Sequence, residues 1–351
     1  MAASTTMKAL IFRPKGQSLA VEDVPVPVPG PKQILVRVQT VALNTVDVMN
    51  LDHPLAVQDT RVVGSDFAGV VAAIGEDLKS VDDPRAVVGA RVAGFVQGAN
   101  SGNDRPGAYA EYVVADYDLT WSVAANVPLE NAATVNLCGL TAAQGLFYRM
   151  GFPCPFYGTP TFEGVEEPVN VLIYGSTTNV GLFAAQLVRI AEKTAGKKIR
   201  LIGAASASKH AMLREAPYQY DVLVDYKKSS WTEEALQATG GSGVLYAIDA
   251  VSSGPTVANV ESTLSANGKF AAYRTPNIGN FDMAALKIKP VIGAVWEGLG
   301  VEIEYHGGIE KIVSDGFSVL RQSPLASGDG SQRSMEAHLR PVSAEKLVYK
   351  I

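Results

Sequence analysis

A largely apolar run, Val169–Tyr174, ends in Gly175, and a second glycine, Gly181, stands at the start of an apolar stretch of helical period, Val180–Lys193. A strand that turns on a glycine into a helix leaves backbone N–H groups without partners at the helix N-terminus. Those donors and the positive end of the helix dipole favour a pyrophosphate. Gly175 can make the tight turn, and Gly181 can let the helix pack closely on the strand. Thr178 replaces the middle glycine of the dinucleotide fingerprint, so the turn taken alone also fits an ordinary strand–helix turn.

The alternation continues, with strands expected at Arg200–Ala204, Asp221–Val224, Val244–Val251 and Lys269–Tyr273 and a helix over Gly254–Ala266. Apolar strands separated by helices imply a parallel sheet covered on both faces, an α/β doubly wound domain. Upstream the texture differs. Lys8–Phe12, Leu19–Val24, Gln33–Val41, Val70–Ile74, Arg91–Phe95 and Ala108–Val114 are short β segments between glycines and the proline-rich run Pro25–Pro31. Such a pattern reads as a barrel-like β domain. The Ala- and Leu-rich helix expected at Asn131–Tyr148 marks the change. Further on, Gly293–Gly298, Glu302–Tyr305 and Lys346–Ile351 could be strands, Ile309–Leu320 a helix and Gln322–Arg340 a loop.

Composition narrows the function classes. A chain of 351 residues, 47% hydrophobic, can bury the cores of about two domains. The net charge of −5 comes without a basic cluster, which argues against nucleic acid as a partner. No apolar run approaches the ~18 residues of a membrane span. Met1–Met7 lacks a basic start and an apolar core, so a signal peptide is not expected. A soluble, cytoplasmic protein is the resulting expectation. Cys138 and Cys154 are the only cysteines, and His53, His210, His306 and His338 show no ligand spacing, so no metal site is expected.

Cofactor choice is read one strand after the turn. An NAD enzyme places a carboxylate there for the ribose diol, but Gly203-Ala-Ala-Ser-Ala-Ser-Lys-His210 has none. Ser206, Ser208 and Lys209 can instead hold a 2′-phosphate, which favours NADPH; the alternative is a solvated lysine at a helix start.

Several segments, in order, resemble the medium-chain dehydrogenase/reductase superfamily. They are Val24–Pro31 with Gln33-Ile-Leu-Val-Arg-Val38, Ala42-Leu-Asn-Thr-Val-Asp47, Val63-Gly-Ser-Asp-Phe-Ala-Gly-Val-Val71 with Gly75, Val88-Gly-Ala-Arg-Val-Ala-Gly94, Gly107-Ala-Tyr-Ala-Glu-Tyr112, Leu137-Cys-Gly-Leu-Thr-Ala142, the nucleotide turn and Asp225-Tyr226. The resemblance implies a GroES-like β-barrel domain over 1–130, a Rossmann NADPH-binding domain over 131–285 and a return to the first domain over 286–351. Where relatives carry catalytic zinc ligands, this chain has Asn44, Ser65 and Cys138, and Gly98–Pro106 lacks the cysteines of a structural-zinc lobe. It therefore resembles the zinc-free branch of quinone and enoyl reductases. Within that branch the Tyr-Gly-Ser-Thr-Thr turn, Trp296-Glu-Gly-Leu-Gly300 and Ser343-Ala-Glu-Lys-Leu-Val-Tyr349 are similar to fungal stand-alone reductases, some of which serve a polyketide synthase in trans. Around 306–342 a helix and a strand usual in the family are missing and Gln322–Arg340 is extra, implying a remodelled or incomplete segment.

By this resemblance NADPH lies between the domains and gives its hydride to the β-carbon of an activated C=C bond. Gly175, Ser176, Thr177, Thr178, Asn179 and Val180 would face the pyrophosphate, while Ser206, Ser208, Lys209 and Tyr226 would surround the adenosine phosphate. Asn44 and Thr141 are candidates near nicotinamide and substrate, or else satisfied polar groups. His53 is a candidate proton donor, with a surface histidine or water as the alternatives. Asp47 reads as a residue that fixes its own loop. A quinone or enone reductase and a catalytically idle NADPH-binding protein remain alternatives, as do monomer and homodimer.

Overall fold

The computed structural model describes residues 5–52, 60–98, 106–154 and 162–296, together with the backbone of Val348–Lys350. His53 and the 306–342 segment, with its expected helix and loop, lie outside the described residues, as do Glu302–Tyr305 and the fungal-type Trp-Glu-Gly-Leu-Gly motif beyond Trp296. The chain forms two compact units. One runs to Leu137 and takes back Trp296 and the C-terminal strand; the other runs from Cys138 to Val295.

The first unit is built of antiparallel strands. β1 (Thr6–Arg13) pairs with β2 (Ser18–Pro25) and β4 (Arg61–Val62) in one sheet. β3 (Gln33–Ala42) lies at the centre of the other, between β5 (Asp66–Ile74), β7 (Tyr112–Asp116) and β15 (Val348–Lys350); β6 (Arg91–Phe95) and β8 (Thr120–Ser122) extend it. Ile34, Val36 and Val38 alternate along β3 and are buried with Phe67, Val71, Val92 and Val113, as the period-2 pattern requires. β5 begins at Asp66, four residues before the expected Val70. The reason is that Asp66, Phe67 and Gly69 continue the ladder to β3 and β6, although an acid and a glycine read as strand breakers. Helix α1 (Thr45–Asp52) follows β3 and was not expected.

In the second unit β9 (Val169–Tyr174), β10 (Ile199–Ala205), β11 (Val222–Asp225), β12 (Val244–Asp249), β13 (Leu264–Ala272) and β14 (Val291–Ile292) pair in parallel. Their order is β11-β10-β9-β12-β13-β14, the 3-2-1-4-5-6 order of a dinucleotide fold, and it reverses between β9 and β12. The apolar strands bury Leu172, Ile202, Val224, Ala247 and Phe270 beneath the helices. Two expectations are corrected here. The helix at Asn131–Tyr148 is broken into α2 (Leu129–Ala133), α3 (Asn136–Ala143) and a π-helical segment, Gln144–Arg149. The helix expected over Gly254–Ala266 is α7 (Thr256–Glu261) alone, because Val244 pairs with Leu264 and draws its neighbours into β13.

Candidate functional site

The nucleotide turn is assembled at the point where the strand order reverses. β9 ends at Tyr174 and Gly175 follows with φ 75°, a conformation that disfavours a side chain; a Cβ there would also stand 2.9 Å from Val251. Helix α4 (Asn179–Ala195) then begins. A Cβ on Gly181 would lie 2.3 Å from the Gly175 carbonyl, so only glycine lets the helix approach this closely. Thr178 is its N-cap: Oγ1 accepts the Gly181 N–H at 3.1 Å and donates to the Gly175 carbonyl at 2.8 Å.

The N–H groups of Gly175 and Ser176 go to the Ala204 carbonyl, and that of Thr178 goes to Gly175. Among the described residues no acceptor meets the N–H of Thr177, Asn179 or Val180. The Ser176 side chain is fully buried and donates to Ile173, so its hydroxyl does not face outward. Three backbone donors at the N-terminus of a seventeen-residue helix fit an anionic diphosphate.

β10 and β11 are neighbours, and Ala205 pairs with Asp225, so the residues just beyond them adjoin. The Ser206 hydroxyl lies 3.4 Å from the Tyr226 hydroxyl. Tyr226 is 40% exposed and its ring stands edge-on to Tyr174, at 6.1 Å. Ser208 is exposed, and Lys209 is half-buried on the same short turn. The structure thus groups Ser206, Ser208, Lys209 and Tyr226 at the ends of adjacent strands. Asp225, at the end of β11, accepts the Lys227 N–H at 3.1 Å.

A separate polar network lies inside the first unit. Asp47, in the first turn of α1, accepts the Asn44 N–H at 2.8 Å, the Ser65 hydroxyl at 2.6 Å and the Tyr109 hydroxyl at 2.7 Å. The carboxylate reaching back to the residue before the helix is half of a capping box, so Asp47 does fix its own loop. Burial pushes the Asp47 carboxyl up, against the hydrogen bonds from Ser65, Tyr109 and Asn44. Burial and Asp47 together push the Tyr109 phenol up, so it stays a donor. Asn44 Nδ2 donates to Asp66 at 2.9 Å, and Asp66 also accepts the Leu137 N–H at 3.0 Å. Asn44 and Ser65, the residues expected where relatives carry zinc ligands, thus hydrogen-bond to carboxylates. Among the described residues no group of three or more His, Cys, Asp or Glu is placed to hold a metal ion. Cys138 and Thr141 are buried on α3.

Sequence reasoning missed Asp66, Tyr109 and Asp249. The first two sit in segments that resemble the family, without any local sign of burial. Asp249, fully shielded at the end of β12, accepts the N–H groups of Val251 and Ser252 and the Thr256 hydroxyl, and so shapes the loop beside Gly175. An acid closing an apolar strand is the signal that marks it.

Comparison with known proteins agrees with this architecture. Residues 30–125 match the alcohol dehydrogenase GroES-like domain. The chain is 31% identical over 283 residues to the trans-enoyl reductase thnE of Trichoderma harzianum, covering 78% of this chain and 72% of that one. It is 35% identical over 190 residues to the trans-enoyl reductase resD of Aspergillus sclerotiorum, spanning about half of each: 52% of this chain and 51% of the relative. The solved CurK enoyl reductase superposes with a TM-score of 0.70 at 18% identity, covering 96% of this chain and 90% of that one. A mycobacterial quinone oxidoreductase does so at 0.61 and 23%, covering 98% and 100%. Fold and turn define a two-unit architecture, a GroES-like domain and a domain with the strand order of a dinucleotide fold. The chain belongs to the trans-enoyl reductase family of the medium-chain dehydrogenase/reductase superfamily.

Proposed function

We propose that this protein reduces the activated C=C bond of an enoyl thioester with NADPH, without zinc, acting in trans on the product of a fungal polyketide synthase in the cytoplasm. The observation that carries the reading is the turn at Gly175–Gly181, with three backbone donors at a helix N-terminus, in a chain of the trans-enoyl reductase family. The residues there fit the cofactor. Thr177, Asn179 and Val180 would hold its pyrophosphate through their N–H groups. Gly175 and Thr178 would keep the turn in shape, and Ser176 would contribute only backbone. Ser206, Ser208 and Lys209 would hold a 2′-phosphate, and Tyr226 would flank the adenosine.

When bound, NADPH supplies a hydride for the β-carbon of the substrate. The protein's own share is to orient the substrate and to stabilise the enolate through polar groups set in place beforehand. Asn44, its backbone and side chain held by Asp47 and Asp66, would help to orient the substrate, and Thr141 would present a hydroxyl to the enolate. The α-carbon takes its proton from water or from His53.

The test is NADPH consumption by the purified protein with α,β-unsaturated thioesters and, separately, with quinones. Turnover of thioesters with little of quinones supports the proposal. Turnover of quinones alone would transfer it to the quinone reductase reading, and tight NADPH binding with no turnover would make it an idle binding protein.

A further inference from the structure

Four non-glycine residues have positive φ among the described residues, and three of them, Gln17, Gln219 and Asn280, are exposed. The fourth, Ser252, has φ 51° and is fully buried. This left-handed conformation disfavours every residue with a Cβ and not glycine, so a buried serine there must be held by its surroundings. Three hydrogen bonds hold it. The Ser252 N–H donates to Asp249 Oδ1 at 2.7 Å, the Ser252 hydroxyl donates to the Asp249 carbonyl, and the same hydroxyl accepts the Tyr273 N–H at 2.8 Å. The Asp249 carboxylate is fixed in turn: Oδ1 also accepts the Val251 N–H at 3.0 Å, and Oδ2 accepts the Thr256 hydroxyl at 2.7 Å. Ser252 thus ties the end of β12 to the residue that follows β13.

The turn so formed, 250–252, borders the nucleotide turn. The Ala250 N–H reaches the Tyr174 carbonyl at 3.0 Å, and Val251 Cγ2 is the atom that a Cβ on Gly175 would meet first. Strand order tells which part of a dinucleotide belongs here, because each half of a doubly wound sheet binds one mononucleotide. The group around Ser206 and Tyr226 serves the adenosine half at β10 and β11, and the turn after β9 serves the diphosphate. The nicotinamide half then falls on the other side of the reversal, at the carboxyl ends of β12 and β13, where Ser252 sits. Buried backbone strain of this kind gathers at ligand clamps, where it sets a shape in advance.

We propose that Ser252 is a positioning residue for the nicotinamide half of the cofactor: its left-handed turn sets Val251 as the apolar rest on which the nicotinamide riboside lies. The proposal rests on the NADPH reading given above.

Two ligands separate this role from a structural one: NADPH, and adenosine 2′,5′-bisphosphate, which carries the adenosine half and no nicotinamide. Ser252→Gly still permits the left-handed conformation but removes both bonds of the hydroxyl, so the turn loosens. Its NADPH dissociation constant should rise about tenfold as preorganisation is lost, while that for the bisphosphate stays within twofold. Val251→Ala leaves the Ser252 bonds in place and should weaken NADPH by about threefold or more, again without effect on the bisphosphate. Binding of the bisphosphate also shows that each variant is folded. Equal losses for both ligands would make Ser252 purely structural and overturn the proposal, as would unchanged NADPH binding in either variant.

A second readout is the emission of bound NADPH, which arises from the reduced nicotinamide alone. Its change on binding to the parent should be diminished in Ser252→Gly, and an identical spectrum would overturn the proposal. A parent that binds neither ligand would count against the NADPH reading itself, and the proposal would fall with it.

Discussion

Thr178 Oγ1 lies 3.1 Å from the N–H of Gly181 and 2.8 Å from the carbonyl of Gly175, so one hydroxyl closes the nucleotide turn at both ends. The residue that breaks the glycine fingerprint is therefore the N-cap of α4. Replacing it with alanine removes the cap and should cost about 1 kcal/mol of stability. Urea unfolding of Thr178→Ala against the parent measures this, and Thr178→Gly should lose only a few tenths. Equal losses in both variants would assign the effect to something other than the cap.

Gly181 tests the closeness of helix and turn. In Gly181→Ala the added carbon would meet the Gly175 carbonyl at 2.3 Å, so the helix must move away. A loss of about 1–3 kcal/mol is expected from such overpacking. The Thr177, Asn179 and Val180 donors would be displaced with it. Fluorescence titration should show NADPH affinity falling together with stability; unchanged affinity would mean that these donors do not meet the cofactor.

Lys209 should discriminate between the two nicotinamide cofactors. Its ammonium is the one cation among the residues proposed for the 2′-phosphate, so Lys209→Ala should weaken NADPH binding by about tenfold or more and leave NADH almost unchanged. Parallel titrations with the two cofactors check this. An equal loss for both would move Lys209 out of the phosphate site.

Burial makes the stability of this fold sensitive to pH in a defined sense. Asp47 and Asp249 are both pushed up from the ordinary value of 3.8, chiefly by desolvation. The native state then holds protons that the unfolded chain has released. As pH rises through the window between the unfolded and the raised folded value, stability falls. The difference between the parent and Asp47→Asn, followed by urea unfolding in steps upward from about pH 4, should therefore shift against the parent. A difference moving the other way would show Asp47 to be held below its ordinary value.

Legibility in the sequence followed the strength of local pattern. β9, β10 and β12 are apolar runs buried on both faces, and each was visible to within about two residues at its ends, the usual uncertainty of an element boundary. α5 (His210–Arg214) and α6 (Trp231–Ala238) are short and polar on one side; they take their stability from packing that a linear reading does not contain. Ser206 and Lys209 stood out through the absence of an acid after β10, and the structure places them on the short turn that follows it. Asp66 was not, because its meaning lies in the partners that β3 and α3 bring to it, and a lone acid in a glycine-flanked segment reads as a turn. The Asn44 network was likewise visible only as a set of segments, not as bonds.

The fate of the transferred hydrogen decides whether this protein reduces enoyl thioesters. Purified protein is supplied with NADPH carrying deuterium at C4 and an α,β-unsaturated thioester, and the product is examined by mass spectrometry and NMR. One deuterium is expected at the β-carbon of a saturated thioester, with a solvent proton at the α-carbon. NADPH that is bound but never oxidised, or deuterium found only in a reduced quinone, would contradict it.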